Sequence, residues 1–331
     1  MNRLLFSRYL LVMLTLSHAS LSWSQLAIPP ANHVTTEAEP LAHVTVKLPI
    51  RLCSGYLVFV EASIGNIRKL NFLVDTGAYP SVIDQKIARR LGLAEQPARV
   101  NLSKNSVETR LVVLPSLLLG PIRADSLRVL SEDLSFIQKT VGHKVDGIVG
   151  LDVLRKSSFT IDYRTKEIIF GPVGSLSFST PFTTDVPIVT IRMGFENRSL
   201  RLVVDTGTPD LMLFQSRLPE TTGLQGLQTL GTEEVTDVSG TFQRRKVRIP
   251  EVYLGKEPLG AQVVFVVDDW RDGGDNIDGV LGIRGPQFWK IALDFEHRRF
   301  SWERSAVVPA ISVAIYNDVQ PSPASIGRRP R

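Results

Sequence analysis

The chain contains the same pattern twice, and that repetition limits its possible folds more than any other feature. Residues 57–78 (LVFVEASIGNIRKLNFLVDTGA) align without a gap on residues 187–208 (PIVTIRMGFENRSLRLVVDTGT), at an offset of 130. Each stretch reads as an alternating strand, a turn with Gly or Asn, and a second strand ending in Asp-Thr-Gly, which is the signature of a β-hairpin. Two further matches follow in the same order. Residues 114–120 (LPSLLLG) parallel 249–255 (IPEVYLG) at an offset of 135. Residues 146–170 (DGIVGLDVLRKSSFTIDYRTKEIIF) parallel 278–302 (DGVLGIRGPQFWKIALDFEHRRFSW) at an offset of 132. A repeat of this length marks a tandem duplication of one structural unit.

The units divide the chain into a first lobe at 41–175 and a second at 185–304, joined by 175–185. Residues 25–40 (QLAIPPANHVTTEAEP) read as a polar, Pro-rich linker, and 305–331 as a tail whose end is disordered. Residues 1–24 carry Arg3 and Arg8, then a short apolar core at 9–16 (YLLVMLTL), with small residues offering cleavage after Ala19 or Ser24. That is the layout of a signal peptide, with an uncleaved anchor as the alternative; both put the body of the chain outside the cytoplasm, periplasmic or secreted. No later stretch is apolar enough to span a membrane, so no stable span is expected after cleavage.

Composition narrows the chemistry. A hydrophobic fraction of 43% with 21% charged residues suits a globular core, and the 24 Gly and 20 Pro favour strands and turns. Short helices are expected after each Asp-Gly loop and at residues 81–91 (SVIDQKIARRL), where apolar residues recur near helical spacing. The net charge of +5 forms no basic stripe interleaved with aromatics, which argues against nucleic-acid binding. Cys53, the single cysteine, reads as a buried structural residue. His18, His33, His43, His143 and His297 have no metal-ligand spacing.

The chemistry sits in the paired triplets. Asp75-Thr76-Gly77 and Asp205-Thr206-Gly207 each end a strand, and each is followed, 71 or 73 residues later, by Asp-Gly-apolar-apolar-Gly at 146–150 and 278–282. Two carboxyls held a few Å apart cannot both ionise cheaply, so they share one proton. Such a pair can take a proton from water and donate another to a carbonyl without a metal. Two identical loops about a pseudo-two-fold axis would bring them together. Asp146 and Asp278 read as turn caps before their strands, and Asp84 and Asp210 as local caps or surface groups.

These residues resemble the aspartic peptidases of the pepsin and retropepsin type. The first unit, with Asp75-Thr76-Gly77-Ala78 and residues 148–154 (IVGLDVL), is similar to a retropepsin subunit, and the chain resembles two such subunits fused, as in bacterial secreted proteins. The likeness covers residues 41–304. It implies a mainly β, two-lobed acid-protease fold of duplicated barrel-like lobes with short helices. It implies Asp75 and Asp205 as the pair that activates water, Thr76 and Thr206 cross-bonding the loops, and Gly77 and Gly207 shaping the loop floor. Gly150 and Gly282 would lie on strands beside the loops. It implies a protein or peptide substrate and no metal or organic cofactor. A binding module that holds a peptide in the same cleft without cutting it is the competing class.

Ala78 and Thr208 follow the two triplets. A Thr208 hydroxyl bonded to the outer carboxylate oxygen would lower the pKa of Asp205, so the first proton is expected to leave Asp205, and Thr208→Ala to raise the acid limb of activity. A covering hairpin is offered by residues 100–113, with a turn near Lys104-Asn105, and by residues 234–247, turning at 237–240; either is the cover, or both are ordinary strands. Ile283-Arg284-Gly285 replaces Leu151-Asp152-Val153, so substrate preference does not transfer. The short connection between lobes favours a pair formed within one chain, with a dimer of whole chains open.

Overall fold

The computed structural model describes residues 45–101, 106–183, 186–193, 199–218, 228–237, 240–267 and 277–305. The segments read as signal peptide and first linker lie outside these residues, as does the tail after Ser305. The described chain is mainly β and has two lobes, each built on one copy of the repeat.

In the first lobe the hairpin Leu57–Ile64 and Ile67–Val74 pairs in the register Val58↔Val74, turning at Gly65 with φ +53°. Ile67–Val74 pairs in parallel with Gly147–Val149, which runs antiparallel to Val82–Asp84. Val82–Asp84 lies parallel to Ile122–Glu132, which pairs with Ser106–Leu119. Ser63↔Leu118 and Ile64↔Leu117 return to the first hairpin, so six strands close a ring. Closure removes sheet edges, and Gln96–Asn101 extends Ser106–Leu119 outward.

The second lobe repeats the ring with Ile188–Met193, Ser199–Val204, Gly279–Leu281, Leu211–Phe214, Glu257–Val267 and Gly240–Leu254. Ile191↔Leu254 closes it, and Thr229–Asp237 is its outer strand. Gly120 (φ +55°) and Gly255 (φ +59°), which end the second repeated motif, turn the long strands in both lobes. In both, the short strand just before Gly150 or Gly282 threads between the strands on either side of an Asp-Thr-Gly loop. This threading brings the third motif to the first across roughly seventy residues of chain.

A six-stranded sheet ties the lobes together. Its order is Val46–Pro49, Glu167–Phe170, Phe159–Asp162, Phe288–Asp294, Arg299–Arg304, Phe178–Pro181. The seam between lobes is Phe159–Asp162 against Phe288–Asp294, with Ile161 opposite Ile291. Phe288, Phe300 and Trp302 pack beneath it, with ring centroids 5.4–5.9 Å apart. Phe178–Pro181 comes from the segment read as a connection between lobes, so part of that segment is an edge strand.

The helices depart from expectation. The 81–91 segment begins as strand Val82–Asp84, and only Gln85–Arg90 is helical, capped by Asp84, whose side chain accepts from the Lys86 amide at 2.8 Å. Leu151–Leu154 is the short helix expected after the first Asp-Gly loop. Its counterpart in the second lobe is a turn, because Gly285 and Pro286 disfavour a helix there. A third helix, Ser135–Val141, was not expected; it ends at Gly142 in the left-handed conformation, with φ +71°. Among the described residues no helix is long and apolar enough to cross a membrane.

Candidate active site

Asp75 and Asp205 each leave the end of a hairpin strand and meet at the contact between the rings. The main chain holds them there: Asp75 N donates to Val149 O and Asp205 N to Leu281 O, both at 3.0 Å. Within each loop the glycine amide turns back on the aspartate. Gly77 N donates to Asp75 Oδ1 at 2.9 Å and Gly207 N to Asp205 Oδ1 at 2.6 Å.

The two threonines lock the loops to each other. Thr76 Oγ1 donates to Val204 O at 2.7 Å and accepts from Thr206 N at 3.1 Å. Thr206 Oγ1 donates to Val74 O at 2.8 Å and accepts from Thr76 N at 3.1 Å. Each fully buried hydroxyl therefore satisfies one amide and one carbonyl of the opposite lobe. The glycines admit the partner carboxyl. A Cβ on Gly77 would stand 2.6 Å from Asp205 Cγ, and one on Gly207 2.6 Å from Asp75 Oδ2. Any side chain at either glycine would push the two carboxyls apart.

Gly150 and Gly282 stand immediately after the short strands rather than on them, and both pack against the loops. A Cβ at Gly150 would strike Ala78 O at 2.3 Å, and one at Gly282 would strike Asp210 O at 2.4 Å. Leu151 N donates to Ala78 O at 2.9 Å, and Ile283 N to Thr208 O at 3.3 Å.

Both carboxyls are buried, and each acts electrostatically on the other. Burial, then the charge of Asp205, holds the Asp75 carboxyl well above the usual carboxylate range. Burial also raises Asp205, but the proton on Asp75 and the amides of Gly207 and Thr208 oppose that rise. The two carboxyls titrate as a unit that holds one shared proton above the usual carboxylate range. The Thr208 hydroxyl takes no part in these shifts. That oxygen is buried without a hydrogen-bond partner, and Thr208 reaches Asp205 through its main-chain N–H. The expectation that Thr208→Ala would raise the acid limb loses its structural basis.

Other residues correct the sequence reading. Asp146 and Asp278 are latches between strands: Asp146 Oδ2 accepts from Asn71 N and Asp278 Oδ2 from Arg201 N, both at 2.9 Å. Asp210 is no local cap, since its Oδ2 accepts from the buried Arg244 at 2.9 Å. Three contributors were not among the expected site residues. The Ser81 amide and hydroxyl donate to the Asp152 carboxylate at 3.0 and 2.6 Å, fastening the first loop from below. Tyr56 is buried beside the second loop, and burial with the charges of Asp210 and Asp205 pushes its hydroxyl upward. Burial likewise raises the hydroxyl of Tyr163, near Asp205. Tyr56 has Val186 as its repeat counterpart, so no duplication flagged it.

Both expected hairpins form, pairing Asn101 with Ser106 and Asp237 with Gly240; residues 102–105 and 238–239 at their turns lie outside the described residues. Cys53 is buried, as its apolar surroundings suggested. Among the described residues no cluster of His, Cys, Asp and Glu has the arrangement of a metal site.

No curated protein matches the chain. A family model described as aspartyl protease matches it twice, over residues 60–153 and 189–284, more than half its length in total. Each match spans one hairpin, one Asp-Thr-Gly loop and the glycine strand threaded beside it. The chain belongs to the aspartyl protease family.

Proposed function

We propose that the chain is an aspartic endopeptidase in which Asp75 and Asp205 together activate water. The observation that carries this reading is the buried carboxyl pair inside crossed threonine bonds, one carboxyl from each lobe. A protein that only bound peptides would have no use for two desolvated carboxyls competing for one proton.

One shared proton gives the two carboxyls distinct roles. Ionised Asp205 takes a proton from water as the oxygen attacks the peptide carbonyl carbon. Protonated Asp75 gives its proton to the carbonyl oxygen, and a tetrahedral diol forms. Asp205 then passes its proton to the leaving nitrogen, the C–N bond breaks, and the diol proton returns to Asp75. Acid and base are both recovered, and no metal or organic cofactor enters the scheme. Because burial raises both carboxyls, the acid limb of activity should lie above the ordinary aspartate range of about 4. The substrates are proteins or peptides outside the cytoplasm, a location that rests on the leader-like residues 1–24. One chain supplies both aspartates, so a single chain holds the complete pair, whether alone or in a dimer of whole chains.

The test is peptide-library cleavage from pH 3 to 7.5 by the chain freed of its leader, beside Asp75→Asn and Asp205→Asn. Cleavage that both substitutions abolish supports the pair. Activity surviving in either variant removes the assignment, and inactivity of a folded wild type that still binds peptides favours the binding module.

A further inference from the structure

The pseudo-two-fold relation between lobes breaks at one buried point beside Asp205. Strand register and repeat offset align Pro80 with Asp210, Ala98 with Glu233 and Thr109 with Arg244. Three uncharged residues of the first lobe thus correspond to two acids and a base in the second. Arg244, on Gly240–Leu254, is only 1% exposed. Its Nη1 donates to Asp210 Oδ2 at 2.9 Å and its Nε to Glu233 Oε1 at 2.6 Å, with Nη2 also against Glu233 Oε1. The guanidinium carbon lies 3.7 Å from the Phe265 ring centroid. One side chain therefore joins both strands of the outer hairpin to the segment five residues beyond Asp205.

The first lobe solves the same problem differently. There Ser81 donates twice to Asp152 and accepts from Gly150 N at 2.9 Å, while Thr109 bonds Glu132. The second lobe has Leu211 and Arg284 at the positions of Ser81 and Asp152, and cannot make that clasp. Arg284 is exposed and forms no ion pair among the described residues.

We propose that Arg244 is a positioning residue for the reaction of the aspartate pair, holding the segment after Asp205 against the outer hairpin in place of the Ser81–Asp152 clasp. The proposal rests on the peptidase reading above. Its location is supported by Tyr56, whose hydroxyl feels Asp205, Asp210, Arg244 and Arg284 together, so the ion cluster adjoins the second loop. An exposed ion pair contributes little. Here the arginine is buried between two carboxylates, and its removal leaves them facing each other with reduced access to water.

Arg244→Met, Arg244→Lys and the neutral triple variant Asp210→Asn/Glu233→Gln/Arg244→Met test this against wild type. Readouts are melting temperature, kcat and KM on a peptide substrate, and amide hydrogen exchange by segment. Arg244→Met should lower kcat about ten- to a hundredfold through misplacement of the loop, with KM within about threefold. Arg244→Lys should recover part of that loss. The triple variant leaves no buried charge unpaired, so it should regain melting temperature without regaining kcat. Exchange should rise in residues 205–214 and not in 75–84. Recovery of kcat by the triple variant would reduce Arg244 to neutralising its neighbours and overturn the proposal, as would unchanged exchange at 205–214. If Arg244→Met does not fold, the triple variant supplies the same comparison. A wild type that cleaves nothing defeats the peptidase reading by itself, and exchange still decides whether Arg244 holds the segment.

Discussion

At the scale of single residues, the crossed threonines make the sharpest demand. Thr206→Val would keep the shape and remove the hydroxyl, leaving the Val74 carbonyl and Thr76 amide without partners in a fully buried place. Each orphaned group costs about 1–3 kcal/mol. The expected outcome is a loss of about 2–6 kcal/mol in denaturant unfolding, with activity below one tenth of wild type. Thr206→Ser keeps both bonds and should stay within about 1.5 kcal/mol. Equal losses in the two variants would show that the hydroxyl is not what matters. Residues of this kind were legible in the sequence because they occur twice, and a chemically odd triplet in duplicate is hard to produce by accident. Arg244 and Tyr56 were not legible. Each has a partner of different chemistry in the other lobe, and each acts through neighbours distant in sequence, which only the folded register brings close.

At the scale of elements, periodicity served the strands better than the helices. The hairpins were readable because alternation and turn residues agree over 8 residues in Leu57–Ile64 and again in Ile67–Val74. The three-residue strands Val82–Asp84, Gly147–Val149 and Gly279–Leu281 are too short to carry a period, and burial on both faces removes alternation from them altogether. That is why residues 81–91 read as one helix when they hold a strand and a six-residue helix. Asp84 stands at the junction. It caps the helix and also accepts from Gln138 Nε2 at 3.2 Å, so one side chain fixes two helices beside the short strand. Asp84→Ala should cost about 1–2 kcal/mol, the range for losing a cap. Thermal melting would register this as a drop of several degrees, with kcat little changed at room temperature. A melting point within one degree of wild type would mean that the cap is replaceable.

At the scale of the whole molecule, the buried acids tie stability to pH. Both carboxyls of the pair lie above their unfolded values, so the native state binds these protons more tightly than the unfolded chain. Stability from this source is complete below the unfolded carboxylate range, about 4. It is lost as pH rises through the folded values. Asp75→Asn relieves the repulsion, so the inactive variant should melt several degrees above wild type at pH 7, and the difference should shrink to nothing near pH 4. A constant difference across that range would mean that the pair does not titrate as described. The sheet between the lobes has a consequence of another kind. Its seam needs Phe288–Asp294, which is paired in turn by Arg299–Arg304 at the far end of the described chain, and the first aspartate waits for a second that lies 130 residues further on. A nascent chain emerging from the ribosome or a translocation pore thus carries half a reaction centre for most of its passage. On the peptidase reading proposed above, hydrolytic power arrives only with the last strands, and the order of synthesis itself would serve as a safety catch.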